Sequence, residues 1–219
     1  MRAVDAVIFD LDGVIVESEG IWDAARRDLV ARTGGTWRDD ATRAMMGMSS
    51  PEWARYLRDE LGVPLPVEEI GPAVVAEIAC RYRERLQLIP GAVEAVRALA
   101  DHWPLGLASS SNRPIIDLVL AEAGIADRFA ATVSSEEVAR GKPAPDVYLE
   151  AARRLGVDPA ACVAIEDSTN GIRAAAAAGM TVIATPNAEL PPADDALALA
   201  AAVVDGPRAI TPELVRGLG

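Results

Sequence analysis

Two aspartates, Asp10 and Asp12, close an almost unbroken apolar run (VDAVIF, Val4–Phe9) and lead into glycine as Asp10-Leu11-Asp12-Gly13. Two later segments end in the same manner. LGLA (Leu105–Ala108) runs into Ser109-Ser110-Ser111-Asn112, and CVAI (Cys162–Ile165) runs into Glu166-Asp167-Ser168. Short apolar runs of this kind read as strands buried on both faces. In a parallel sheet their C-terminal ends share one edge, the edge where open α/β folds bind ligands. That edge would gather Asp10, Asp12, Glu166 and Asp167 beside a row of hydroxyls. Carboxylates held together repel and raise one another's pKa, so the cluster calls for a cation. Oxygen donors without histidine or cysteine suit magnesium, which takes few protein carboxylates and shares the oxygens of a phosphate. The chemistry this predicts is phosphoryl transfer.

The elements that must position these residues alternate along the chain. Further strand-like runs are TVIA (Thr181–Ala184), AAVV (Ala201–Val204) and a weaker AATV (Ala130–Val133). Helical patterns fall between them at Gly91–Asp101, Pro114–Ala123, Pro145–Leu155 and Asn170–Ala178, with proline openers and glycine stops. The alternation predicts an α/β fold with a doubly wound parallel sheet. The stretch from Glu17 to Leu88 differs. It shows helix-period patterns at Ile21–Arg32, Pro51–Leu61 and Gly71–Leu86, with no strand, and holds Trp22, Trp37 and Trp53. The expected organisation is a core domain of residues 1–16 and 89–219 with an inserted α-helical domain over 17–88.

Composition narrows the chemistry. The chain has 219 residues, 51% hydrophobic and 25% charged, with a formal charge of −12. A phosphate-backbone binder needs a basic face, and no basic cluster stands out, so nucleic acid is not an expected partner. No apolar run is long enough to span a bilayer, and no signal-peptide pattern opens the chain; the expectation is a cytoplasmic protein, monomeric or a small homo-oligomer. Cys80 and Cys162 lack metal or disulfide context and read as buried thiols. The one histidine, His102, leaves little room for Ser-His-Asp triads or multi-histidine metal sites. Lys142 is the one lysine among 21 basic residues. A compact ammonium kept once, in a Gly-Lys-Pro turn, suggests a position that the planar guanidinium does not fit.

FDLDGV (Phe9–Val14), ASS (Ala108–Ser110), GKPAPD (Gly141–Asp146) and IEDSTNG (Ile165–Gly171) resemble, in order, the four motifs of haloacid dehalogenase-like phosphohydrolases. The resemblance covers essentially the whole chain. It extends to the branch with a helical cap between the first two motifs, which holds sugar-phosphate phosphatases and β-phosphoglucomutase. It implies a Rossmann-like core and a magnesium-dependent phosphatase acting on a small phosphorylated metabolite, with a sugar phosphate as the expected substrate. It also implies roles. Asp10 attacks phosphorus and becomes an aspartyl-phosphate; Asp12 protonates the leaving alcohol and then activates water. Mg2+ is held by Asp10, the Asp12 carbonyl and Asp167, with Glu166 as a further metal residue, close by or acting through water. Ser109 bonds a phosphoryl oxygen, and Lys142 offsets charge on Asp10 and the phosphoryl group. Ser110, Asn112, Glu17 and Trp22 are the expected substrate contacts.

Each motif has a plainer use. Asp-x-Asp-Gly is turn chemistry, the serines can cap the next helix, and Glu166 or Asp167 can cap the helix of Asn170–Ala178. Within the family, dehalogenase and phosphonate-cleaving branches lack the second aspartate, so Asp12 implies an alcohol leaving group. The mutase branch has a histidine and an arginine where this chain carries Trp22 and Ser50, which favours hydrolysis. VESEGIW (Val16–Trp22) is closer to the segment of sugar-phosphate phosphatases, with Glu17 in place of their usual aspartate. A receiver-like phospho-acceptor module would cluster similar residues on a parallel sheet, but the inserted helices and Asp12 argue against it.

Overall fold

The computed structural model describes residues 3–45, 50–187 and 191–219; Gly47, Met48 and Ser49 of the GMSSPEW segment lie outside the described residues. The chain divides into two compact units, Met1–Glu17 with Gln87–Gly219, and Ser18–Leu86. The larger unit is built on six strands: β1 (Ala6–Phe9), β2 (Leu105–Ser109), β3 (Phe129–Ser134), β4 (Cys162–Glu166), β5 (Thr181–Ala184) and β6 (Ala202–Val203). They form one sheet in the order β3-β2-β1-β4-β5-β6, parallel throughout.

The topology puts β1 in the middle. The chain winds outward from β1 through β2 to β3, then returns to β1's other side for β4, β5 and β6. The order therefore reverses at β1, where β2 and β4 flank it and a crevice opens beyond the strand ends. Every residue of β1 is buried, as is every residue of β2 and β4. This is why these segments read as continuous apolar runs and not as alternating ones. β6 covers only Ala202–Val203 of its apolar run, and Val203, on the edge strand, is 56% exposed.

After Glu17 the chain leaves the sheet to form the smaller unit, with α1 (Glu19–Thr33), α2 (Ala41–Met45), α3 (Ser50–Asp59) and α4 (Val67–Glu84). α4 packs against α1 and α3. Its apolar stripe, Ile70, Val74, Ile78 and Tyr82, is buried at four-residue spacing; Cys80 lies off that stripe and is exposed, unlike the buried thiol expected, whereas Cys162 is buried. α4 starts earlier than the Gly-Pro at Gly71–Pro72 suggests. Glu68 and Glu69 supply an acidic first turn, and the stripe continues through Pro72.

The two crossings into this unit lie side by side within the larger one. Glu17 N–H donates to Gln87 O at 2.9 Å, Ile89 N–H donates to Ile15 O at 3.0 Å, and Val16 bridges Leu88 antiparallel. The chain then forms α5 (Ala92–Ala100), α6 (Arg113–Glu122), α7 (Asp146–Leu155), α8 (Thr169–Ala177), α9 (Asp194–Leu197) and α10 (Pro212–Gly217). α7 and α8 bury Val147, Ala151, Ile172 and Ala175 against Ala6, Ile8 and Ala164 of the sheet. Val7 and Phe9 alternate to the opposite face, where the Phe9 ring meets Phe129 edge-on at 6.0 Å. Among the described residues, no helix is long and apolar enough to cross a membrane.

Candidate active site

The site forms where β1, β2 and β4 end. Asp10 follows β1 directly, and its N–H donates to Ile165 O of β4 at 3.0 Å, so the sheet's own ladder fixes its backbone. The chain then turns back, with Gly13 N–H donating to Val16 O at 2.9 Å. Gly13 has φ of 75°, and a Cβ there would fall 1.8 Å from Asp167 Oδ2. Only glycine allows both that conformation and that approach. The turn chemistry of Asp-x-Asp-Gly is therefore present, and it brings the loop after β1 against the acid after β4.

Lys142, in the loop between β3 and α7, reaches into this crevice with its side chain 5% exposed. Its Nζ lies 2.9 Å from Asp10 Oδ1 and 2.6 Å from Glu166 Oε1. The Glu166 contact is an aligned hydrogen bond; the Asp10 contact is an ion pair without that alignment. Glu166 is fully buried and saturated. Oε1 accepts from Lys142 and, at 2.8 Å, from the Tyr148 hydroxyl. Oε2 accepts from the N–H groups of Asp167 and Ser168 and from Ser168 Oγ, at 3.0–3.1 Å. A carboxylate has about four lone-pair sites, so Glu166 enters the cluster with its acceptor capacity taken up. The helix-cap role belongs to Ser168, whose Oγ accepts from Gly171 N–H at 3.1 Å.

Asp12 faces β2. Its Oδ2 accepts from Ser111 Oγ at 2.7 Å and from Ser109 Oγ at 3.3 Å. Its Oδ1 is buried with no hydrogen-bond donor. Ser109 Oγ also accepts from Ser111 N–H at 2.9 Å, and Ser134 Oγ holds the Ser111 carbonyl at 2.7 Å. Ser111 thus takes the shorter bond to Asp12, although the motif reading singled out Ser109 and Ser110. The Ser-Ser-Ser run was the available signal, but a sequence does not say which hydroxyl turns inward.

The remaining candidates are more scattered. Ser110 is exposed. Asn112 is buried and occupies the N-cap position of α6 without capping it; its amide nitrogen donates to Glu136. Arg113 is committed to Glu137, Asp117 and Thr132, tying α6 to β3. Glu17 is the last residue of the larger unit before the chain leaves it, and its N–H donates to Gln87 O. Trp22 belongs to α1 of the smaller unit, where it meets Trp53 edge-on at 6.3 Å and the Arg26 guanidinium at 5.2 Å. Ser50 opens α3. Tyr148, absent from the motif reading, lies on the apolar stripe of α7 and reads from sequence as a core aromatic.

Burial pushes the Asp10 carboxyl up to about 8, with Glu166 and Asp12 adding to it and Lys142 opposing. The same burial, with Glu166 and Asp10 nearby, holds Asp167 well above the usual carboxylate range. Burial alone would lower Lys142, but Asp10 and Glu166 outweigh it and raise its pKa. One carboxylate oxygen from each of Asp10, Glu166 and Asp167 lies within 4.8 Å of the others, with Glu166 already hydrogen-bonded at both oxygens. This all-oxygen set, with more acid than Lys142 can offset, fits a hard divalent cation.

The sequence relationships agree with this geometry. The haloacid dehalogenase-like hydrolase family model matches residues 4–179. Hexitol phosphatase B of Escherichia coli (strain K12) is 37% identical over 194 residues, covering 86% of each chain. The bifunctional riboflavin kinase/FMN phosphatase of Arabidopsis thaliana is 34% identical over 183 residues, covering 83% of this chain and 48% of that protein, so the chain spans about half of that relative's length. The crystal structure of CbbY from Rhodobacter sphaeroides in complex with phosphate superimposes with a TM-score of 0.88 at 28% identity, covering 98% of this chain and 100% of that one. The chain belongs to the haloacid dehalogenase-like hydrolase family. Within that family it is a phosphatase.

Proposed function

We propose that the chain is a magnesium-dependent phosphomonoester hydrolase acting on a small phosphorylated metabolite of the sugar-phosphate class through an aspartyl-phosphate on Asp10. One observation carries the reading: Asp10 sits at the central strand end, in a buried ion pair with the single lysine at 2.9 Å, inside an acid cluster that fits a cation. The relative named hexitol phosphatase B supports the substrate class.

In the first step Asp10 attacks phosphorus, and the bond from phosphorus to the leaving alcohol breaks. Asp12 gives its proton to that alcohol. In the second step Asp12 takes a proton from water, which displaces phosphate and restores the Asp10 carboxylate. Ser111 and Ser109 hold Asp12 in place between steps. Lys142 offsets negative charge on Asp10 and on the phosphoryl oxygens. Asp10, the Asp12 carbonyl and Asp167 would hold the cation, with Glu166 adjacent; bound there, it supplies charge neutralisation for the phosphoryl group. Ser110, Asn112 and Glu17 are assigned to the choice among esters.

The test is phosphate release from a panel of hexose phosphates, hexitol phosphates and nucleotides, comparing the wild type with Asp10→Asn. The expected result is turnover of a small ester that falls by roughly 10³-fold or more in the variant, with no interconversion of β-glucose 1-phosphate and glucose 6-phosphate. Near-normal turnover by Asp10→Asn would overturn the nucleophile, and efficient interconversion would replace the hydrolase by a mutase.

A further inference from the structure

Tyr148 takes no part in the steps above and is not among the candidate cation ligands, yet its hydroxyl lies inside the buried charge cluster. α7 carries it on a stripe with Val147, Ala151 and Ala152, all buried. Packing alone would be met by phenylalanine, since the ring fills the space and a buried hydroxyl needs a partner. Here the partners are the ion pair itself. The hydroxyl donates to Glu166 Oε1 at 2.8 Å and accepts from Lys142 Nζ at 3.4 Å, and the ammonium also stands over the ring, 4.9 Å from its centroid.

The geometry decides what the hydroxyl does. Glu166 Oε1 has two lone-pair directions; Lys142 takes one at 2.6 Å and Tyr148 the other. The ammonium has three N–H bonds. Glu166 and Tyr148 receive two of them, and the same ammonium stands 2.9 Å from Asp10 Oδ1 as an ion pair. Without the hydroxyl, one lone pair of Oε1 falls vacant and one N–H loses its partner. The ammonium is then held on that side by Glu166 alone and is free to swing about that contact, away from Asp10.

We propose that Tyr148 is a positioning residue, which holds the Lys142 ammonium turned toward Asp10 by sharing Glu166 Oε1 with it. The proposal rests on the phosphatase reading and goes beyond it, because the helix stripe alone marks Tyr148 as packing.

The test is a double-mutant cycle of Tyr148→Phe and Lys142→Ala, with kcat and KM for phosphate release counted per folded molecule by circular dichroism. Counting in this way keeps the comparison valid if a variant is less stable. Tyr148→Phe is expected to lower kcat by about three- to tenfold with KM changed less than about twofold, because orientation of a charge acts on the transition state. In the Lys142→Ala background the same substitution should change kcat by less than about twofold, since coupled residues are not additive. Wild-type kcat in Tyr148→Phe overturns the proposal. So does an equal loss in both backgrounds, which would make Tyr148 a packing residue independent of Lys142. Wild-type kcat in Lys142→Ala overturns both this proposal and the role given to Lys142, so the two failures are told apart.

Discussion

Lys142 is enclosed on three sides, by Glu166 at 2.6 Å, Asp10 at 2.9 Å and Tyr148 at 3.4 Å. A guanidinium is longer, planar and forked, and cannot place one compact charge between two carboxylates in that space. Lys142→Arg should therefore lower kcat at least about tenfold, a loss of only ~1.4 kcal/mol of transition-state stabilisation. Lys142→Ala should cost more, because it leaves buried carboxylates facing a phosphate dianion without their cation. Steady-state rates at saturating magnesium check both; equal rates for wild type and Lys142→Ala would remove the lysine from the site. At this scale the sequence was legible where chemistry restricts the residue type. Asp10, Asp12, Glu166, Asp167 and Lys142 announce themselves because acids and a solitary lysine are costly to bury. Ser111 and Tyr148 were hidden for opposite reasons. A hydroxyl in a run of three has two equivalents beside it, and a tyrosine on an apolar helix stripe is indistinguishable from packing.

Among the elements, the join between β4 and α8 bears most directly on the site. A Cβ at Gly171 would lie 1.6 Å from Glu166 Oε1, so the first turn of α8 rests on the carboxylate that holds Lys142. Glycine inside a helix is ordinarily unfavourable by about 1 kcal/mol against alanine. The prediction for Gly171→Ala is the reverse: a lower melting midpoint and at least about a tenfold loss of kcat, because the carboxylate must move. A variant as stable and as active as wild type would show that the approach is not needed. The strands were readable because burial on both faces leaves a continuous apolar run. α9 and α10 were not read, since Asp194–Leu197 and Pro212–Gly217 are too short to show a period. α4 was entered late because a Gly-Pro pair looks like a start even where an apolar stripe passes through it.

For the whole molecule, a net charge of −12 and a buried acid cluster make cation binding and stability one question. A ligand that binds only the folded state adds stability of about 2.7 kcal/mol at a hundred times its Kd. Magnesium should raise the melting midpoint and support phosphate release, and excess chelator should abolish release until magnesium is returned. Calorimetry and phosphate release, run with and without chelator, check this; full activity in chelator would exclude a metal-dependent mechanism. The division into units was legible in outline, because helix-period patterns replace strand-like runs after Glu17. Its edges follow the paired crossings at Glu17 and Gln87, which no local pattern reveals.

The central place of β1 has a consequence for how the protein is made. Ile8 pairs with Gly106 on one side and Ala164 on the other, so the strand of this sheet that is made first gains its second neighbour only when β4 follows. At about 5–20 residues per second, the apolar AVIF segment waits roughly 8–30 seconds for β4 to be synthesised. Pairings this distant in sequence also make folding slow. Until β4 is made, Asp10 lacks the backbone that fixes its N–H and the Glu166 and Asp167 carboxylates at the end of that strand. The chief hazard of the chain in that interval is association through an uncovered strand.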